Sequence, residues 1–206
     1  MTSLGYIPNA VKRLKLVRAF KGYNPGVLDC IEISSNDQIM IVDDEKCTHI
    51  STSPEDASHC CVCFNPNRNE IVILPLDKKL IKQRQGGMAD GAAFDENKFA
   101  FIEFKDNAQG NSTAAIEETY TKASSQLSAA LGLFVEKLRY NKVAIDFTDV
   151  INVVCHIIVS DKFPRASALE QNMMLSFAMS NGVGLSFERE IAFSFVSENI
   201  ENLENC

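Results

Sequence analysis

Apolar residues recur at spacings of three and four between about Thr113 and Tyr140, through Ile116, Tyr120, Ala123, Leu127, Ala130, Leu131 and Phe134. One stripe at that spacing predicts a long amphipathic helix with a single buried face. Asn111, Ser112 and Thr113 supply capping side chains. Glu117 and Glu118 stand early and Lys137 and Arg139 late, as the helix dipole favours, and Tyr140-Asn141 closes the segment. Gln126 falls at the flank of the stripe, about 90° from its centre at helical geometry. From there it either reaches the rim of a packed sheet or lies exposed.

Just before this helix the pattern changes to short apolar, aromatic runs on either side of the polar, turn-prone Asp95–Lys98. That arrangement predicts a β-hairpin. Whether the loop is Glu96-Asn97 or all of Asp95–Lys98, the register is the same: Phe94 faces Phe99, Ala92 faces Phe101 and Asp90 faces Glu103.

The remaining pattern predicts a helix over about 8–21 and strands near Leu28–Ser34 and Gln38–Val42, split by a turn at Asn36-Asp37. Ser51–Ser58 reads as a loop. Strands follow near Cys60–Asn65 and Glu70–Leu76, joined by the turn-forming Pro66-Asn67-Arg68-Asn69. After the long helix come a strand near Asn152–Ser160 and a helix from about Arg165 to Met179 that stops at Asn181-Gly182-Val183-Gly184. A last strand or hairpin falls near Leu185–Phe195, and 197–206 reads as a frayed tail. The expected class is α+β, a mixed central sheet flanked by helices in one domain over 1–206, its core spanning about 60–195.

The hairpin gathers chemistry. Side chains alternate along a strand, so Glu103 and Lys105 share a face, with Phe104 on the other. Directly opposed residues have Cβ atoms about 5 Å apart, and like charges so placed repel. Asp90 opposite Glu103 is therefore costly as plain structure, unless the face is solvated and Lys105 offsets Glu103. A hard divalent cation such as Mg²⁺ or Mn²⁺ would remove the penalty, because it takes carboxylate oxygens and keeps several waters.

Asp90 followed by Glu103-Phe104-Lys105 at the end of the second hairpin strand resembles the PD-(D/E)xK nuclease superfamily. The likeness covers about residues 87–135, with Ala89 where the family's name has proline. It implies a restriction-endonuclease-like core of helix, β-meander, helix and strand. It implies that Asp90 and Glu103 bind Mg²⁺, that Lys105 acts on the attacking water, and that the following helix lends Gln126. The first helix often supplies another glutamate in that family; here the segment Asn9–Lys21 carries none. The implied activity is metal-dependent hydrolysis of phosphodiesters, DNA foremost. The rivals are a non-catalytic binding or assembly protein on the same fold and a small zinc-stabilised interaction module.

Composition adjusts this picture little. The chain has 206 residues, 46% hydrophobic and 23% charged, within the ordinary range for a globular domain. No apolar run approaches the roughly 20 residues that span a bilayer. Met1–Tyr6 lacks the layout of a signal peptide, so a cytoplasmic setting and no membrane partner are expected. A homodimer is an open option. The net charge of −7 argues mildly against a dedicated nucleic-acid binder. Yet Lys12, Arg13, Lys15, Arg18 and Lys21 crowd one segment, and Lys78, Lys79, Lys82 and Arg84 another. Such clusters serve either as phosphate-positioning patches or as solvated faces.

The seven cysteines read as reduced thiols. Cys47, His49, His59, Cys60, Cys61 and Cys63 are zinc-compatible types at irregular spacing. Cys60–Phe64 reads equally as a buried strand, and His156 as a core or strand-face histidine.

Overall fold

The computed structural model describes residues 6–53, 60–82, 87–105, 112–144 and 147–193. It is α+β, with two packed sheets where a single central sheet is expected. The strands are β1 (Glu32–Ser34), β2 (Gln38–Asp43), β3 (Thr48–Ser51), β4 (Cys61–Phe64), β5 (Ile71–Pro75), β6 (Gly91–Phe94), β7 (Lys98–Lys105), β8 (Asn152–Val159), β9 (Gly184–Ser186) and β10 (Glu190–Ala192). The helices are α1 (Asn9–Arg13), α2 (Leu16–Phe20), α3 (Val27–Cys30), α4 (Thr113–Tyr140) and α5 (Ser167–Asn181).

The larger sheet is mixed, in the order β1-β5-β6-β7-β8-β9, and the smaller runs β10-β4-β2-β3. β5, β6 and β7 form an antiparallel meander, and β8 lies parallel to β7. A parallel neighbour needs a crossover connection, and α4 supplies it. Ser112 caps α4 by accepting the Ala115 N–H at 3.2 Å.

Alternation along the strands divides the core in two. Val72, Leu74, Ala92, Phe94, Phe99 and Phe101 face the helices, while Ile71, Ile73, Ala93, Ala100 and Ile102 face the smaller sheet. On the helix side Phe94 stacks on Phe99 with centroids 4.7 Å apart, and Phe134 of α4 meets Phe99 and Phe101. Full burial of each such ring contributes about 1.5–3 kcal/mol. Among the described residues, no helix is long and apolar enough to cross a membrane.

The first helix departs from expectation. It breaks into α1 and α2 at Lys15, whose φ is +50°. Leu14 and Leu16 are both fully buried. Positions two apart in one helix point about 200° from each other, so burying both requires the break. The strand expected over Leu28–Ser34 is likewise cut short. Its first part is α3, after a turn in which Asn24 Oδ1 accepts the Gly26 N–H at 2.9 Å. The last strand or hairpin expected near Leu185–Phe195 is two strands in different sheets: β9 pairs with β8 and β10 with β4, both parallel. Gly182, at φ +70°, ends α5 where the stop is expected. The tail 197–206 lies outside the described residues.

Candidate active site

The hairpin register is Gly91↔Ile102, Ala92↔Phe101, Ala93↔Ala100 and Phe94↔Phe99. One step beyond its last pair, Asp90 stands across from Glu103. Both lie on the helix-facing side, past the aromatic core, where β7 runs on beyond the end of β6. The Asp90 carboxylate accepts the backbone N–H of Phe104 at 2.7 Å. Its own carbonyl accepts the N–H groups of Leu76 at 2.8 Å and Asp77 at 3.3 Å.

Glu103 is only 1% exposed. Lys105 Nζ donates to Glu103 Oε1 and, at 3.0 Å, to Gln126 Oε1. The amide of Gln126 in turn donates to the Met88 carbonyl at 3.2 Å. Gln126 is thus buried, the flank position on α4 reaching the sheet rim. Asp90, Glu103, Lys105 and Gln126, the four residues singled out in sequence, come together in one cluster.

Its electrostatics are those of a crowded acid pair. Burial, then the charge of Asp90, push the Glu103 carboxyl up to about 8 despite Lys105. Burial, then Asp43, push Asp90 up to about 7 against the pull of the Phe104 amide, Lys105 and Lys78. Glu103 Oε2 is buried with no hydrogen-bond partner among the described residues. An orphaned buried carboxylate oxygen costs free energy. A divalent cation fits this donor set: it would satisfy Oε2 and replace the protons that the pair holds near neutral pH. Two carboxylates are the protein share usual for Mg²⁺, the remaining positions going to water and substrate phosphate. Among the described residues, no cluster of three or more His, Cys, Asp or Glu side chains forms a larger metal site.

One residue of this neighbourhood, Asp43, escaped the sequence reading, and a second, Lys78, entered it only as part of a basic cluster. Asp43, the last residue of β2, belongs to the smaller sheet. Lys78 Nζ donates to Asp43 Oδ2 at 3.0 Å and to the Asp44 carbonyl at 2.7 Å. Burial works against the Lys78 ammonium, but the bond and charge of Asp43, with Asp90 and Asp77 beyond, hold its pKa above the ordinary value. Asp43 Oδ1 accepts the Thr48 hydroxyl at 2.9 Å. Thr48 packs so closely on Gly91 that a Cβ there would lie 2.7 Å from Thr48 Cγ2. The one signal for this corner was the lysine cluster at Lys78 and Lys79; nothing local marks Asp43.

Other candidates resolve differently. Arg13 spends its guanidinium on the carbonyls of Glu96 and Val150, at 2.6 and 2.7 Å. That docks α1 on the hairpin turn and makes Arg13 a structural member of its basic cluster. Cys61 and Cys63 are buried in β4 between the sheets, with burial raising the Cys61 thiol pKa. His49 Nδ1 pairs with the Cys47 carbonyl at 3.0 Å, and His59 lies outside the described residues. His156 is buried, bonded to the Glu188 carbonyl at 3.0 Å, and burial depresses its pKa to about 4.

A second polar cluster joins the two long helices. Glu170 takes Arg165 in a forked pair at 2.6 and 2.9 Å and accepts the Tyr120 hydroxyl at 2.8 Å. It pins α5 to α4. Comparison of the chain with protein-family models, curated proteins and solved structures finds no match.

Proposed function

We propose that this protein is a metal-dependent nuclease of the restriction-endonuclease-like class that hydrolyses phosphodiesters, DNA being the favoured substrate. One observation carries the reading. Two opposed carboxylates at the β6–β7 rim are joined by a lysine two residues along the same strand and a glutamine from the following helix. The order β5-β6-β7 meander, α4 and parallel β8 supports it, being similar to the superfamily's core.

A Mg²⁺ or Mn²⁺ ion held by Asp90 and Glu103 would polarise the phosphate and acidify a bound water. The chain's own residues do the rest. The Phe104 N–H fixes the direction of the Asp90 carboxylate. Lys105, whose ammonium donates to Glu103 Oε1 and Gln126 Oε1, is placed to donate to the attacking water or to charge developing on phosphate. Gln126, anchored on the Met88 carbonyl, orients Lys105 and limits its swing.

The test is cleavage of duplex and single-stranded DNA, and of RNA, in Mg²⁺, Mn²⁺ or chelator. Metal-dependent cleavage that disappears in Glu103→Gln is the expected result. A parent protein that binds nucleic acid yet cleaves none of these would replace this reading with the non-catalytic one.

A further inference from the structure

Lys78 stands in a conformation that local sequence does not favour. Its φ is +64°, a region that side-chain-bearing residues seldom occupy and that persists only where surrounding structure holds it. The surroundings are specific. The preceding Leu76 and Asp77 amides clasp the Asp90 carbonyl, and the Asp77 side chain accepts the Lys78 N–H at 2.9 Å. The irregular turn is thereby tied to the residue that opens the acid pair. Its lysine head is held by Asp43 and the Asp44 carbonyl from the other sheet, while its side chain remains one-third exposed. Asp90 feels the charges of both Lys105 and Lys78. Lys78 and Lys105 are thus the two cations that act on Asp90, against the negative charge of Asp43.

The turn that carries Lys78 is tied to the Asp90 carbonyl and its head to Asp43, so its ammonium stands beside the acid pair with one-third of the side chain exposed. Carboxylates that face polyanionic DNA need nearby cations to offset repulsion, and phosphate contacts from lysine fix the register of the backbone. Resting on the nuclease reading above, we propose that Lys78 is a substrate-binding residue: it exchanges Asp43 for a non-bridging oxygen of the DNA phosphate next to the one at Asp90 and Glu103. Asp43 holds the ammonium in place until DNA arrives, and so competes with the phosphate.

The test is binding of a short fluorescein-labelled DNA duplex in chelator, by anisotropy across a salt series, with Mg²⁺-dependent cleavage measured alongside. Lys78→Asn keeps a residue that tolerates positive φ. It should weaken binding roughly tenfold at low salt and lower the slope of log K against log salt by about one. Lys78→Arg should retain most affinity. Asp43→Asn, which still accepts from Thr48 but no longer competes for the ammonium, should bind more tightly than the parent. Should Lys78→Asn fail to fold, Asp43→Asn with Lys78→Asn leaves no unpaired charge and should show the same weakening. If the parent binds and cleaves while both Lys78→Asn proteins bind with unchanged affinity and slope, the role of Lys78 is overturned and the nuclease reading stands. If the parent binds without cleaving and Lys78→Asn weakens it, the contact is upheld and hydrolysis falls. A parent that neither binds nor cleaves overturns both.

Discussion

Asp90 and Phe104 are joined across the hairpin, the Asp90 carboxylate accepting the Phe104 backbone N–H at 2.7 Å. Phe104 is the residue between Glu103 and Lys105, so this one bond couples the start of β6 to both. Its aromatic ring faces the smaller sheet while its neighbours face α4. The strand's pleat thus anchors Phe104 in one core layer while Glu103 and Lys105 stand on the opposite face of the sheet.

Metal should stabilise the fold. An ion that binds only the folded state adds about 2.7 kcal/mol at a hundredfold excess over its Kd. Mg²⁺ or Mn²⁺ is expected to raise the melting temperature of the parent, and Asp90→Asn combined with Glu103→Gln should abolish the rise. A shift that persists in the double variant would place the ion elsewhere.

The same pair makes stability depend on pH. In chelator, the folded protein keeps protons on Asp90 up to about 7 and on Glu103 up to about 8. The unfolded chain releases them near pH 4. In between, the pair binds more protons in the native state, so its contribution to stability falls as pH rises. Buried His156, depressed to about 4, acts the opposite way up to its ordinary pKa of about 6.5, so the net decline should be clearest from about 6.5 to about 8. Chemical denaturation across that range should show the decline. It should be flatter in the double variant, and Mg²⁺ should offset it most at the upper end, because ligands must be deprotonated.

Lys105→Ala should lower metal-dependent cleavage by about 10² or more, the scale on which lost electrostatic stabilisers act. Lys98 looks in sequence like a suitable surface control, but its Nζ donates to the Ala192 carbonyl at 2.8 Å and ties β7 to β10. Lys122, exposed on α4, serves instead, and truncating it should change stability by about 0.5 kcal/mol or less. Equal rates in Lys105→Ala, Lys122→Ala and the parent would mean that the activity belongs to another site or another protein.

Gln126→Ala should leave Lys105 paired with Glu103 but free to swing. Partners that orient groups around a metal are worth about 10–100-fold in activity or affinity. Steady-state cleavage should fall by that range, with Gln126→Glu failing to restore it because the carboxylate cannot donate to the Met88 carbonyl. Full activity in Gln126→Ala would confine the residue to packing.

Gly91→Ala tests the seam between the sheets. A Cβ there would approach Thr48 Cγ2, Cβ and Oγ1 at 2.7, 2.9 and 2.9 Å. Forcing in such a group costs about 1–3 kcal/mol. Urea unfolding should show that loss, and the displaced Thr48 should loosen its bond to Asp43. An unchanged midpoint would show that the seam yields freely.

The hairpin, α4 and the grouping of Asp90, Glu103 and Lys105 were legible in sequence because they depend on short-range rules. Strand alternation and a turn at Asp95–Lys98 set the register that opposes Asp90 and Glu103. Helical periodicity puts Gln126 at the flank of the buried stripe, and only the packing of α4 on the sheet decided that it meets Lys105 and the Met88 carbonyl. Tertiary structure alone decided the rest. Lys15 breaks a predicted helix because Leu14 and Leu16 must both enter the core, a demand that comes from the packing and not from propensity. The last two strands separate because each finds a partner far away in sequence, β8 for one and β4 for the other. Asp43 reaches the site only because a second sheet packs on the first at Thr48 and Gly91. No periodicity along the chain records that contact, since it joins strands whose side-chain patterns are independent of each other.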